Sequence, residues 1–299
     1  MEKQPLDQWL TINGLSFHYR DWGDGGYRDW GGGGQEIILL HGLASTCHIW
    51  DLVAPLLAQA GHRVVAMDQR GHGASAKPEQ GYDFATVSQD LRGLIEGLAM
   101  ERPLIAGHSW GADVALEFAV THPEVPKGLC FVDGGMIQPS ARYASLEQAR
   151  EQMAPPIFSG VTLEAFVQRV QSRQALTPMS QGSEAAILAN FEVLPDNTIR
   201  AWLSRDNHLR IIDALWQHHP PELFPQVPGP VLLMPARQLA DAEGSERRHR
   251  REASVAQAGS LLQRAKTVWL EDSIHDVPLQ RPELVAGIIN NHLTAGFFG

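Results

Sequence analysis

Five residues, Gly107-His108-Ser109-Trp110-Gly111, constrain this chain more than any others. They join an apolar run, Pro103-Leu104-Ile105-Ala106, to a helical pattern over 112–120. Strand, Gly-X-Ser-X-Gly and helix in that order read as a nucleophile elbow. The serine sits on a sharp, strained turn, and the chain packs too closely to admit a Cβ two positions to either side. The turn lifts the Ser109 hydroxyl beyond the sheet edge. It also sets the free N–H groups of the following helix beneath the reacting group, where they stabilise developing negative charge. A bare match to the pattern is common in loops; the flanking strand and helix make it specific.

The remaining chain supplies the sheet that such a turn needs. Residues 9–20 read as a β-hairpin turned at Asn13-Gly14. Apolar runs at 36–40, 62–68, 128–133 and 230–234 read as buried strands, with a last one at 267–270. Helical patterns lie at about 49–59, 84–99 and 245–264, and after Pro282. Strands alternating with helices predict an α/β fold with a doubly wound, mostly parallel sheet. The alternation stops between 137 and 226, where helical stretches at 144–153, 162–174, 183–191 and 205–217 are punctuated by prolines. The expected organisation is a core (1–136), an all-helical cap inserted after the sixth strand (137–226), and the rest of the core (227–299). Residues 19–26 are nearly repeated as 27–34, which reads as a glycine-rich loop extension.

A net charge of -10 argues against a nucleic-acid partner and against anionic membranes. Cys47 and Cys130 stand alone, with no zinc-ligand spacing. The N-terminal residues carry no basic-then-apolar signal pattern, and the expected location is cytoplasmic. A homodimer is compatible with all of this.

His41, Asp68, Ser109, Asp133, the loop after Met234 and His275 all fall at strand C-terminal ends, where open α/β sheets bind ligands. Four segments carry a family likeness: His41-Gly42, Asp68-Gln69-Arg70-Gly71-His72-Gly73-Ala74-Ser75, the elbow, and His275-Asp276-Val277-Pro278-Leu279. Together they resemble the α/β-hydrolase family with a helical cap. The likeness covers 9–136 and 227–299; residues 137–226 match the cap in position and helical type alone. It implies a Ser-His-acid triad in which Ser109 is the nucleophile and His275 the general base. It implies neither a metal nor an organic cofactor. Backbone N–H groups of Leu43 and Trp110 would form the oxyanion hole. Trp110 and His41, beside that hole, are expected to meet the substrate, although Trp110 also reads as packing between elbow and cap.

The acid is where the chain departs from the family pattern. The turn after 231–234 reads Pro235-Ala236-Arg237-Gln238-Leu239, without a carboxylate. Asp133, at the end of the preceding strand, is favoured, with Asp241 as the alternative and Glu243 or Asp276 behind them. The elbow is also similar to the Gly-His-Asp-Trp-Gly of epoxide hydrolases and haloalkane dehalogenases, whose nucleophile is a carboxylate. Serine stands there instead, and Tyr143 is the one tyrosine between 137 and 226. The resemblance therefore implies acyl transfer to serine: a carboxylesterase acting on small-molecule acyl substrates. A lactonase, an amidase, a carbon–carbon bond hydrolase and a non-catalytic ligand-binding member of the fold remain open. The run Arg247-Arg248-His249-Arg250-Arg251 reads as a solvated helix face.

Overall fold

The computed structural model describes residues 4–23, 34–238 and 243–299. Asp241 and most of the duplicated unit lie outside the described residues. Strands β1 (Leu6–Ile12) and β2 (Leu15–Asp21) form the expected hairpin. Asn13 and Gly14 have φ 51° and 78°, the positive values that a two-residue type I′ turn demands. Then come β3 (Glu36–Leu40), helix α1 (Ala54–Gln59), β4 (Arg63–Met67), α2 (Phe84–Gly97), β5 (Leu104–His108), α3 (Trp110–Thr121) and β6 (Gly128–Val132). The inserted region holds α4 (Leu146–Gln152), α5 (Leu163–Leu176), α6 (Ser183–Leu188), β7 (Phe191–Val193), β8 (Ile199–Ala201), α7 (Arg205–Gln217) and α8 (Pro220–Leu223). The core resumes with β9 (Val231–Met234), β10 (Ala236–Gln238), α9 (Glu246–Leu261), β11 (Ala265–Thr267), β12 (Leu270–Ser273), α10 (Val277–Gln280) and α11 (Pro282–Thr294).

Eight strands make one sheet in the order β1-β2-β4-β3-β5-β6-β9-β11. The β1–β2 and β2–β4 pairs are antiparallel and the rest parallel. Every residue of β3, β5, β6 and β9 is buried, as continuous apolar runs covered on both faces require. Alternation then divides them: Ile38, Leu40, Ile105 and Phe131 pack on one face with Phe118, while Ile37, Leu39, Ala106 and Cys130 pack on the other with Trp50. Each fully buried large side chain contributes about 1.5–3 kcal/mol. Among the described residues no helix is long and apolar enough to cross a membrane.

Three elements differ from the sequence reading. The inserted region is not all-helical: β7 and β8 pair antiparallel, with Phe191 opposite Ala201. Pro195-Asp196-Asn197 supplies the turn between them, and the Phe191 ring packs against Phe158 and Phe166 at 4.7 and 4.6 Å between centroids. Tertiary packing thus converts the tail of an apparent helix into strand. The helix expected from Ile49 starts at Ala54, with Pro55 in its first turn, after a short 3-10 turn at Cys47–Trp50. The strand expected at 267–270 is two strands; β12 pairs in parallel with β10 rather than joining the main sheet. Pro235, which has no N–H for a ladder, separates β9 from β10.

One buried carboxylate ties the inserted region to the elbow helix. Asp113, in the first turn of α3, accepts from Gly135 N–H at 3.3 Å and Ile137 N–H at 2.9 Å, where the chain leaves the core. It also accepts from His218 Nε2 at 3.2 Å, where α7 ends, while His218 Nδ1 donates to Glu117 at 2.8 Å. Burial opposes charge on His218, but bonds to two carboxylates outweigh it and raise its pKa to about 9.

Candidate active site

Ser109 stands between β5 and α3 with φ 52° and ψ −125°, a conformation that L residues rarely adopt. Its N–H donates to Val132 O at 3.1 Å, fastening the turn to β6. The two flanking glycines are obligatory. A Cβ on Gly107 would lie 2.3 Å from Ala112 N, and one on Gly111 2.5 Å from Leu40 O.

Two further loops at strand ends converge on this serine. Asp133 directly follows β6, itself at positive φ (45°), and His275 lies between β12 and α10. His275 Nε2 is 3.0 Å from Ser109 Oγ, and His275 Nδ1 is 2.7 Å from Asp133 Oδ2. The other carboxylate oxygen accepts from Ala236 N–H at 2.9 Å and from Arg251 Nη1 at 2.6 Å. Burial raises the Asp133 pKa, but the bond and charge of His275, the Arg251 cation and the Ala236 N–H together bring it below the ordinary value. Asp133 is therefore a carboxylate at neutral pH. Burial also lowers the His275 pKa, yet the bond and charge of Asp133 outweigh burial and the net shift is upward; Arg251 opposes that rise. The His275 side chain is 46% exposed, so water screens part of these charges.

The carboxylate fixes the proton of His275 on Nδ1 and leaves the Nε2 lone pair facing Ser109, an assignment made from the hydrogen-bond network. The backbone is held as well: the His275 carbonyl accepts from His108 Nε2 at 2.8 Å. Burial, reinforced by the neighbouring His275, holds the His108 pKa near 4 and keeps that imidazole a neutral donor. The N–H groups of Leu43 and Trp110 have no hydrogen-bond partner among the described residues. A hydroxyl facing an oriented imidazole, with free N–H groups nearby, is equipped for nucleophilic attack on a carbonyl.

Two expected substrate contacts are corrected. The Trp110 ring is buried in the core and stacks on His72 at 5.6 Å. His41 is fully buried, with Nδ1 bound to Gly42 O at 2.8 Å and Nε2 accepting from Gln69 N–H at 3.0 Å. Both ring nitrogens of His41 are spent on shaping the turn before Leu43, and neither ring lines the cavity above Ser109.

That cavity, about 1130 Å³, runs from Ser109 and His275 between the inserted region and α9. Ile137, Met153 and Phe224 give it an apolar wall. Arg247, Arg250 and Arg251 line it too, so the charge run is not simply a solvated face. Sequence reasoning missed Arg251, although a signal was present. Arg251, Val255, Ala258 and Leu262 follow helical spacing, and the last three are buried, which puts Arg251 on the inward stripe.

A second cluster, His18, Cys47 and Asp68, is saturated by its own bonds. Asp68 accepts from His18 Nδ1, Cys47 N–H and Ala74 N–H at 2.8, 2.8 and 2.9 Å. Burial and the Asp68 charge push the Cys47 thiol pKa up, leaving it an inert thiol.

A strained serine after β5 and a carboxylate after β6 of a largely parallel sheet, with a histidine from the loop after β12, define the class: a hydrolase built on an α/β core. The sequence profile of the alpha/beta hydrolase family matches residues 37–288, and the chain belongs to that family. Over 122 residues it is 33% identical to epoxide hydrolase A of Mycobacterium tuberculosis, covering 40% of this chain and 36% of that protein. The match thus spans little more than a third of that relative's length. Over nearly the whole fold the chain is similar to E-2-(acetamidomethylene)succinate hydrolase, with TM-score 0.72, 20% identity and coverage of 97% and 99%. It is equally similar to a thioesterase domain from the curacin biosynthetic pathway, with TM-score 0.72, 22% identity and coverage of 95% and 98%.

Proposed function

We propose that the protein is a serine hydrolase that cleaves carboxylic esters through an acyl-enzyme. The observation that carries this reading is the path from Ser109 Oγ to His275 Nε2 (3.0 Å) and from His275 Nδ1 to Asp133 Oδ2 (2.7 Å). Ser109 Oγ bonds to the acyl carbon as its proton passes to His275 Nε2. The carbonyl oxygen takes the negative charge and is met by the N–H groups of Trp110 and Leu43. Collapse breaks the bond to the leaving oxygen, which takes the proton from His275. Water then repeats the sequence, giving its proton to His275, and Ser109 leaves with that proton. General acid–base catalysis of this kind contributes roughly 10²–10⁴-fold and each oxyanion donor about 10²–10³-fold.

Epoxide opening is the activity named for several relatives. Serine at the elbow, where that chemistry uses a carboxylate, supports acyl transfer here. The test is hydrolysis of p-nitrophenyl esters of increasing chain length. The wild type is expected to release a burst of p-nitrophenol stoichiometric with enzyme, and Ser109→Ala to lose turnover by about 10³-fold or more. A Ser109→Ala variant as active as the wild type would sink the reading.

A further inference from the structure

We propose that His108 is a positioning residue that sets both the general base and the oxyanion turn against Ser109. The inference rests on the reading of Ser109 as nucleophile and adds to it the side chain that registers two loops on that serine. Three observations support it.

The first is topological. Ser109 and Asp133 leave neighbouring strands of the main sheet, and backbone bonds fix them there. Ser109 N–H donates to Val132 O at 3.1 Å, and Asp133 N–H to Met234 O at 3.0 Å. His275 has no such support. It follows β12, which pairs with β10 in a separate two-stranded sheet. Its loop bonds to its own continuation: Ile274 N–H donates to the Gln280 side chain at 2.8 Å. Among the described residues, one hydrogen bond runs from the elbow strand to the backbone of residues 274–276. It is the bond from His108 Nε2 to the His275 carbonyl, at 2.8 Å. A side chain at the end of β5 thus passes the register of the main sheet to a loop outside it.

The second is placement. The His108 ring is buried. The His275 ring lies 4.8 Å from it between centroids, and the Trp50 ring meets it edge-on at 6.5 Å. The turn that carries Leu43 closes a third side. A Cβ on Gly42 would lie 3.0 Å from Ser109 Cβ and 3.3 Å from His108 Nδ1, so that turn rests on both side chains. One ring therefore spaces the loop of the base and the turn of an oxyanion N–H.

The third is chemical. His108 Nδ1 is buried and has no hydrogen-bond partner among the described residues. Burying such an atom disfavours folding, and an apolar side chain of similar size would avoid the penalty. A polar ring at this position is accounted for by its other nitrogen, which donates to His275. Reacting groups displaced by about 1 Å lose about 10²-fold in rate, so a bond that fixes the base loop has a direct effect on turnover.

The test is a near-isosteric pair, His108→Gln and His108→Met. The amide can donate to the His275 carbonyl, and the thioether cannot. Three quantities are read: kcat and KM on p-nitrophenyl butyrate, the urea midpoint, and the low-field proton NMR signal of His275 Nδ1–H on Asp133. His108→Met is expected to lose about 10²-fold in kcat with KM within about threefold of wild type, and His108→Gln to stay within about tenfold in kcat. The low-field signal is expected to persist in the Gln variant and to shift or broaden in the Met variant. His108→Leu supplies the same contrast in place of a Met variant that does not fold. Folded Met and Gln variants with equal kcat and equal signals would overturn the proposal, whether both match wild type or both fall. A lower urea midpoint without a difference in kcat would reduce His108 to a packing residue. Wild type no more active than Ser109→Ala would remove the proposed function. The NMR contrast would still decide whether His108 positions His275.

Discussion

Two of the histidines that hold buried aspartates make opposite use of them. His275 bonds to Asp133 through one ring nitrogen and presents the other to Ser109, with its side chain 46% exposed to the cavity. His218 bonds to Asp113 and Glu117 through both nitrogens and is sealed from solvent. The pKa is raised in each, against burial, by carboxylate contact. A raised pKa and a His–Asp bond therefore do not mark a base. What separates the two is the second ring nitrogen: that of His275 meets the Ser109 hydroxyl, and that of His218 meets a second carboxylate. On the proposed function His275 changes protonation state in turnover, while His218 keeps its proton.

The sharpest way to break this division is to neutralise each aspartate. Asp133→Asn is expected to lose about 10³–10⁴-fold in kcat/KM on p-nitrophenyl esters, because the amide favours the wrong His275 tautomer. Asp113→Asn is expected to stay within about tenfold of wild type. Equal losses would mean that both pairs serve the reaction.

A smaller effect, and one confined to stability, follows from His218→Gln. Removing one partner of a buried ionic cluster costs about 3–5 kcal/mol, read as a lower urea midpoint. The sign with pH is fixed by the raised pKa. The stabilisation from His218 is fully present below its ordinary value of 6.5 and is lost as pH rises through about 9. Wild type should thus lose its stability margin over His218→Gln as the buffer is taken from pH 6 to pH 10, and a constant margin would contradict the assignment.

The mildest perturbation is Arg251→Gln, read in the pH profile of kcat/KM. On the proposed function His275 acts as a base only when neutral, so activity is expected to rise with pH through its pKa. Arg251 disfavours the imidazolium. Its loss moves the acid limb to higher pH. A limb that stays in place or moves down would show that Arg251 does not act on His275.

The sheet and the elbow were legible because local pattern dictates them. Continuous apolar runs mark strands buried on both faces, and Gly107 and Gly111 are required by contacts within the turn and with the neighbouring strand end. The acid was less legible. Asp133 and Asp241 both follow strands, and only the folded register of β6 beside β9 sets Asp133 beneath His275. The β7–β8 hairpin escaped because short apolar runs do not distinguish helix from strand, and ring packing by Phe191 decided it. Arg251 was hidden by its neighbours: a block of cations reads as surface, and its place on the inward stripe shows only when spacing is followed residue by residue.

Asp113 has a further consequence, for the history and the engineering of this chain. The strands of backbone that leave and re-enter the core, at Ile137 and His218, are riveted to one side chain on the helix that carries Ser109. The segment between those rivets also meets the core, through Asn207 on the Tyr82 hydroxyl and through Leu203, Ile211 and Leu215 in the shared apolar cluster, so an exchange has to keep those contacts as well. A chimera that takes a foreign segment between 137 and 218 and keeps the Asp113–His218 rivet and those contacts would inherit the chemistry from one parent and the taste in substrates from the other.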